Sequence, residues 1–259
     1  MASIRISDLS KIYPGPRPVR ALDQVDLDVA EGEFIALLGP SGCGKSTLLN
    51  ILAGFEPLTE GSVLFDGERI GKAGPDRGVV FQEAALFPWL TVFENVTFGP
   101  RVQGVSKNVY DAAAREILAL VGLADFAGSY PSQLSGGMRQ RVGIARVLVM
   151  KPRALLMDEP FGALDAQTRL TMQELLLEVW QRLKVTVVFV THDIDEAILL
   201  ADRVCVMSAR PARIARQIPI ALERPRSIEN LLSPEFSAYK ADIMHEMRTA
   251  HGQGLVAAE

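Results

Sequence analysis

The chain has 259 residues, enough to bury a full core in one or two domains. Hydrophobic residues make up 48% and charged residues 22%, an ordinary globular balance, and a net charge of −4 leaves no strong basic footprint for nucleic acid. Two cysteines far apart in sequence, Cys43 and Cys205, make no disulfide framework and fit a reducing compartment, and no apolar run is long enough to span a bilayer. A mean hydropathy of +0.17 hints at apolar surface covered by a partner. The start, Met1-Ala2-Ser3-Ile4-Arg5, lacks a signal-peptide core, so a cytoplasmic location is the expectation.

In chain order, Ile4 to Leu9 and Leu22 to Val29 alternate apolar and polar residues and read as antiparallel strands, with a loop at Tyr13-Pro14-Gly15-Pro16 between them. Tyr13 is either an aromatic platform for a nucleotide base or a strand-edge cap, and position alone does not choose. Glu33 to Leu38 is a short apolar run, read as a buried parallel strand. It leads into Gly39-Pro40-Ser41-Gly42-Cys43-Gly44-Lys45-Ser46-Thr47, which fits G-x-x-x-x-G-K-[ST], and a helix starts behind it. Strand, glycine loop and helix N-terminus together form a phosphate cradle. Lys45 is expected at the β- and γ-phosphates of ATP, and the Ser46 hydroxyl on Mg²⁺. Cys43 reads as a small residue that fits, or as a thiol beside the phosphates that ATP shields from maleimide.

Further on, Gly54 to Gly61 is a helix end and turn, Ser62 to Phe65 a strand, and Asp66-Gly67 a hairpin turn. Gly78 to Phe81 is a strand that would leave Gln82 at its carboxyl end, where open α/β sheets bind ligands. Ala84 to Phe93 is apolar and aromatic without a clean period, so it packs under the following helix or waits exposed for a partner. Tyr110, Ala113, Ile117, Leu120 and Val121 mark a helix face that ends near Gly122. Ser135 is a good N-cap, and Gly136 and Gly137 expose N–H groups as an anion site, a weak signal alone; Val142, Ala145, Leu148 and Val149 line the helix behind. Arg139, Arg141 and Arg146 read as a solvated face.

Ala154 to Met157 is a buried strand that delivers Asp158 and Glu159, a carboxylate pair suited to holding Mg²⁺ and orienting the attacking water. After the turn Phe161 to Asp165, Met172, Leu175, Leu176, Val179, Trp180 and Leu183 form an amphipathic helix. Val185 to Val190 is a strand that ends at Thr191-His192-Asp193, and Asp193 starts the helix Ile194 to Leu200. His192 is not clustered with His245 or His251, which excludes a histidine metal site. Val204 to Met207 is a last core strand. Beyond Pro211 the chain is Pro- and Arg-punctuated, with a short helix near Pro234 to Arg248 and a loose terminus from Gly252 to Glu259.

Taken together, these residues resemble the ATP-binding subunits of ABC transporters over essentially the whole chain. Walker A at Gly39–Thr47, the signature Leu134-Ser135-Gly136-Gly137-Met138-Arg139-Gln140 and Walker B at Ala154–Glu159 carry the likeness, with His192 at a strand end. Arg77 to Gln82, Leu86 to Val92, Met157 to Asp165, Thr191 to Ala197 and Met207 to Pro211 look closest to the nitrate/sulfonate/taurine/bicarbonate importers. One departure is Met138, where the common signature has Gln.

The resemblance implies an α/β fold: a phosphate-loop NTPase (RecA-like) core with an N-terminal antiparallel β subdomain and an inserted helical subdomain at about 83–150. It makes 1–225 one nucleotide-binding domain and 226–259 a short tail. It implies Tyr13 as the adenine-stacking aromatic, Gln82 as the glutamine loop, Asp165 in the aspartate loop and His192 as the switch histidine. Glu159, His192 and Gln82 then serve catalysis. Ser46, Gln82 and Asp158 attend Mg²⁺. Ser135, Gly136 and Gly137 close over the ATP of a second copy in a head-to-tail dimer. An integral membrane permease is the expected partner, with a substrate-binding protein served indirectly and no nucleic acid, at the cytoplasmic face of the inner membrane. The Leu86 to Val92 stretch is the expected permease contact. The competing readings are a soluble ABC ATPase of DNA repair or translation, a phosphate-loop kinase of small metabolites, and an importer subunit for a different substrate.

Overall fold

β1 (Ile4–Tyr13), β2 (Val19–Val29), β4 (Glu60–Phe65) and β5 (Glu68–Arg69) form an antiparallel sheet in the order β2–β1–β4–β5, in a computed structural model that describes residues 2–256. The β4–β5 turn has φ of 52° at Asp66 and 82° at Gly67, the primed geometry that matches strand twist. β1 runs on to Tyr13, past the expected end at Leu9, because register shifts after Ile6 let the strand kink and continue pairing with β2.

The second sheet comprises β3 (Phe34–Leu38), β6 (Arg77–Val80), β7 (Ala154–Asp158), β8 (Thr186–Thr191), β9 (Arg203–Met207) and β10 (Ile214–Pro219). Its order is β10–β9–β3–β8–β7–β6, parallel throughout except for β10. Every residue of β3 and β8 is buried, as expected of central strands covered on both faces. Their alternation divides the core. Ile35, Leu37, Val188 and Val190 face the antiparallel sheet and α1 (Lys45–Ala53). Phe34, Ala36, Leu38 and Phe189 face α5 (Ala166–Leu183), α6 (Ile194–Leu200) and α7 (Pro234–Val256). Phe34 meets Trp180 edge-on with ring centroids 5.9 Å apart, and the indole N–H donates to Val185 O at 3.0 Å.

Between β6 and β7 lie α2 (Val92–Val102), α3 (Lys107–Leu120) and α4 (Gly136–Leu148), around a core of Val92, Val96, Ala114, Leu118, Val121, Val142 and Ala145. The expected α3 face needs correction. Ala114, Leu118 and Val121 are buried, whereas Ile117 and Leu120 are half-buried against the main core; the helix touches two cores, so no single stripe describes it. Sequence reasoning missed α2, whose apolar period is interrupted by Gly99 and Pro100. Its start was legible, since Thr91 and Glu94 form a capping box.

Other expectations also change. β10 was not foreseen, because Arg and Gln occupy its outward positions on an edge strand. Leu183 is exposed at the last residue of α5, while Leu177 is buried. α7 continues to Val256 instead of loosening at Gly252; of the terminus expected to be loose, residues 257–259 lie outside the described residues. Arg146 is not on a solvated face. Burial pushes its guanidinium below the usual value, and it donates to Ala85 O at 2.9 Å and Ala84 O at 3.0 Å. Arg139 and Arg141 likewise donate to carbonyls, of Leu134 and Val121.

Candidate functional site

The neighbouring strands β3, β8, β7 and β6 all end at one edge of the sheet, and each delivers a polar group there. The glycine loop follows β3. Gly42 has φ of 73° and Gly44 of 131°, conformations that L side chains rarely adopt. A Cβ on Gly44 would also stand 3.0 Å from Ala21 O, so the loop lies directly on β2. Lys45 opens α1, and its ammonium donates to Gly39 O at 2.8 Å and Pro40 O at 2.9 Å. The Ser46 hydroxyl donates to Asp158 Oδ1 at 3.1 Å, which joins the loop to the end of β7.

Burial pushes the Asp158 carboxyl above its ordinary value; the Ser46 hydrogen bond opposes this, the Glu159 charge adds to it, and the Lys45 ammonium opposes it. Next in the chain, Glu159 takes a φ of 43°, strained for a residue with a Cβ. Its N–H donates to Val190 O at 2.9 Å and its carbonyl accepts from Gly162 N at 3.0 Å, and these bonds hold the turn. The turn brings Glu159 Oε2 to 2.9 Å from His192 Nδ1, across from the end of β8. Gln82 completes the group. A Cβ on Gly162 would stand 3.2 Å from Gln82 Nε2 and 3.7 Å from Glu159 Oε2, so the amide and the carboxylate both lie against this turn.

Tyr13 ends β1 beside this edge, with its hydroxyl 3.5 Å from Thr47 Oγ1 and the Lys11 ammonium 4.8 Å from its ring centroid. Cys43 is only 2% exposed and packs in the core beneath the loop, where burial raises its thiol.

Ser135, Gly136 and Gly137 are not brought to the glycine loop. Ser135 Oγ accepts from Met138 N at 3.3 Å as the N-cap of α4. Gly137 lies so close to Thr168 that a Cβ would stand 2.5 Å from its Cγ2. Asp165 caps α5 by accepting from Thr168 N at 3.0 Å and Thr168 Oγ1 at 2.6 Å, bonds that hold its carboxyl low. Among the described residues, no hydrogen bond joins Ser135–Gly137 to the glycine loop.

Four polar residues had no individual role in the sequence reading. Arg210, in the β9–β10 turn, donates to Gly42 O at 2.5 Å. Gln140 is buried and donates to Phe81 O at 3.1 Å, tying α4 to the strand end before Gln82. Asn95 and Glu196 are buried polar side chains in the first turns of α2 and α6. A polar residue just inside a helix start was the available signal for the last two.

A glycine loop, a serine–aspartate contact and a glutamate–histidine pair at the carboxyl edge of a parallel sheet define a phosphate-loop ATPase. The sequence pattern of the ABC transporter family matches residues 22–162. The chain belongs to this family, as an ATP-binding and ATP-hydrolysing subunit. It is 49% identical over 234 residues to a taurine import ATP-binding protein of Rhizobium johnstonii, covering 88% of each chain. It is 45% identical over 252 residues to a nitrate import ATP-binding protein of Synechocystis, covering 95% of each. A solved dimeric ATP-binding cassette in a post-hydrolysis state with ADP and phosphate superposes with a TM-score of 0.74 at 34% identity, over 85% of this chain and 100% of that one.

Proposed function

We propose that the chain powers uptake of a small oxoanion, such as taurine, another sulfonate or nitrate, through a separate membrane permease. The observation that carries the anion class is near-full-length identity to subunits named for taurine and nitrate import. The permease delivers what a separate substrate-binding protein captures, so this subunit meets neither anion directly. Residues 1–225 act as one nucleotide-binding unit with its helical insertion at about 83–150, and 226–259 form a tail. The subunit works peripherally, at the cytoplasmic face of the membrane. No helix among the described residues is long and apolar enough to cross a membrane.

Within the site, residues 39–47 wrap the phosphates, with Lys45 exchanging its two carbonyl contacts for phosphate oxygens, and Tyr13 stacks on the adenine. Mg²⁺ fits the donor set, because the Ser46 hydroxyl and Asp158 carboxylate already converge and are hard oxygen ligands, with Gln82 following the neighbouring strand β6. Among the described residues there is no cluster of three or more His, Cys, Asp or Glu able to hold a metal. Ser46 and Asp158 would hold the ion on the protein side, leaving its other positions to phosphate oxygens and water. When bound, Mg²⁺ neutralises charge on the β- and γ-phosphates. Glu159 takes the proton of the attacking water, and His192 and Gln82 orient that water and the γ-phosphate. The open side of the phosphates is closed by Ser135–Gly137 at the α4 N-terminus of a second copy, with Asp165 alongside.

Trp89, 70% exposed and tilted against Phe87 with ring centroids 5.7 Å apart, is the centre of the permease contact. Deletion and complementation of the chain, read as uptake of labelled taurine and nitrate, tests the assignment. Uptake of every sulfonate and nitrate at wild-type rates without the chain refutes the anion class.

A further inference from the structure

We propose that Glu196 is a positioning residue for His192, acting through Thr191; this rests on the catalytic role proposed for His192. The His192 side chain is 58% exposed, and Glu159 Oε2 is its hydrogen-bond partner. The aim of the ring is therefore set by its backbone, and both flanking residues are locked. Thr191 Oγ1 donates to Glu196 Oε2 at 2.5 Å and accepts from Asp193 N at 3.0 Å. Asp193 Oδ1 in turn accepts from Asp195 N at 2.9 Å and Glu196 N at 3.2 Å. These bonds close a ring through 191, 193 and 196 that brackets residue 192 on both sides.

The second Glu196 oxygen, Oε1, accepts from Gln173 Nε2 of α5 at 3.0 Å. This anchors the ring to the helix that begins at Asp165. Thr191 is 1%, Gln173 4% and Glu196 5% exposed, among the apolar side chains of the main core. A carboxylate is costly in such a place, and burial raises its pKa, the Thr191 and Gln173 bonds opposing the rise. Leucine or methionine would fill the space more cheaply. The polar triad holds a geometry that an apolar filler would not specify.

The test uses the full chain with Mg²⁺ and ATP, with Glu196→Ala, Glu196→Gln, Thr191→Val and His192→Ala compared. Displacing a catalytic group by a fraction of an ångström is expected to lower kcat about tenfold in Glu196→Ala and Thr191→Val, with KM for ATP held within about twofold. Glu196→Gln restores the rate, because its amide oxygen accepts from Thr191 and its N–H₂ donates to a flipped Gln173 amide. A spectroscopic signature accompanies the rates. The chain has three histidines, so a ¹⁵N-histidine NMR spectrum resolves His192 by its loss in His192→Ala. Its ring signals move in Glu196→Ala and return in Glu196→Gln.

Wild-type kcat and unmoved His192 signals in Glu196→Ala, beside an inactive His192→Ala, overturn this proposal and leave the role of His192 standing. Wild-type hydrolysis by His192→Ala overturns that role and this inference with it. An equal fall in kcat for Glu196→Gln and Glu196→Ala with the His192 signals in place also overturns positioning.

Discussion

Replacing Asn95 with alanine tests how the segment from 84 to 91 is held. Asn95 is fully buried at the start of α2. Its Nδ2 donates to Phe87 O at 3.1 Å, Leu90 O at 3.0 Å and Thr91 O at 3.0 Å, and its Oδ1 accepts from Phe87 N at 2.9 Å. Two of these backbone groups have another partner: Phe87 O accepts from Leu90 N at 3.2 Å and Thr91 O from Asn95 N at 2.8 Å. Phe87 N–H and Leu90 C=O are orphaned by the substitution. At about 1–3 kcal/mol for each orphaned group, the cost is about 2–6 kcal/mol if the segment stays in place. The segment lies at the surface and can open to water instead, which favours the lower figure. A loss of about 2 kcal/mol lowers Tm by about 4–8 °C in a chain of this size. Differential scanning calorimetry reads the shift, and hydrogen exchange reads lost protection at Phe87 and neighbouring amides while the β3 and β8 amides keep theirs. Because Trp89, the proposed permease contact, sits in this segment, permease assembly should fall while ATP hydrolysis by the isolated chain persists. Unchanged Tm and unchanged exchange at Phe87 would refute the reasoning.

Glu159→Gln removes the proposed base with its turn intact and lowers kcat about 10²–10⁴-fold, while ATP still binds and an ATP-dependent dimer accumulates on gel filtration; near-normal turnover sinks the assignment. Glu94 is held below its ordinary pKa of 4.5 by the N–H and hydroxyl of Thr91. With a lowered folded pKa, the stability it lends α2 is present above the unfolded value and is lost as pH falls through the folded one. Denaturation midpoints between neutral pH and pH 3 should therefore drop less for Glu94→Gln than for the parent chain, and parallel curves would contradict the cap. Cys43 and Cys205 are both buried, with the Cys205 thiol pushed up to about 12. A thiol reagent should titrate neither until denaturant is added, with or without ATP; rapid labelling of Cys43 in the native chain would show the loop to be looser than its packing implies.

The parts of the site that were legible in the sequence are those where chemistry dictates residue type at fixed spacing. Gly39 to Thr47 must have glycine where the backbone turns left-handed and hydroxyls where oxygen ligands are needed. Asp158, Glu159 and His192 were legible because each ends a short apolar strand, and a polar group there has few other reasons to exist. The illegible parts depend on tertiary neighbours. Arg146 has the composition of a solvated face, and only the fold brings the carbonyls of Ala84 and Ala85 to it. Arg210 is far from Gly42 in sequence, and its contact follows from β9 lying beside β3. The helix α2 was obscured by its own Gly99-Pro100, even though its capping box was in plain view.

The signature turn bears on how the proposed head-to-tail dimer closes. Gly137 is pressed against Thr168, and Thr168 is itself bonded twice to Asp165. The start of α4 and the start of α5 therefore form a single surface within one copy. That surface is continuous with Walker B, since Asp165 follows Glu159 by one turn whose backbone is pinned by Gly162 N to Glu159 O at 3.0 Å and Leu164 N to Phe161 O at 3.1 Å. In the proposed dimer, the group that covers the partner's phosphates thus adjoins the turn that carries the base of the chain's own site. In that dimer, the path from Ser135–Gly137 to the turn that holds Glu159 at a φ of 43° runs through Thr168 and Asp165. This packed surface, rather than a flexible linker, is what joins one half-site to the other in the proposed dimer.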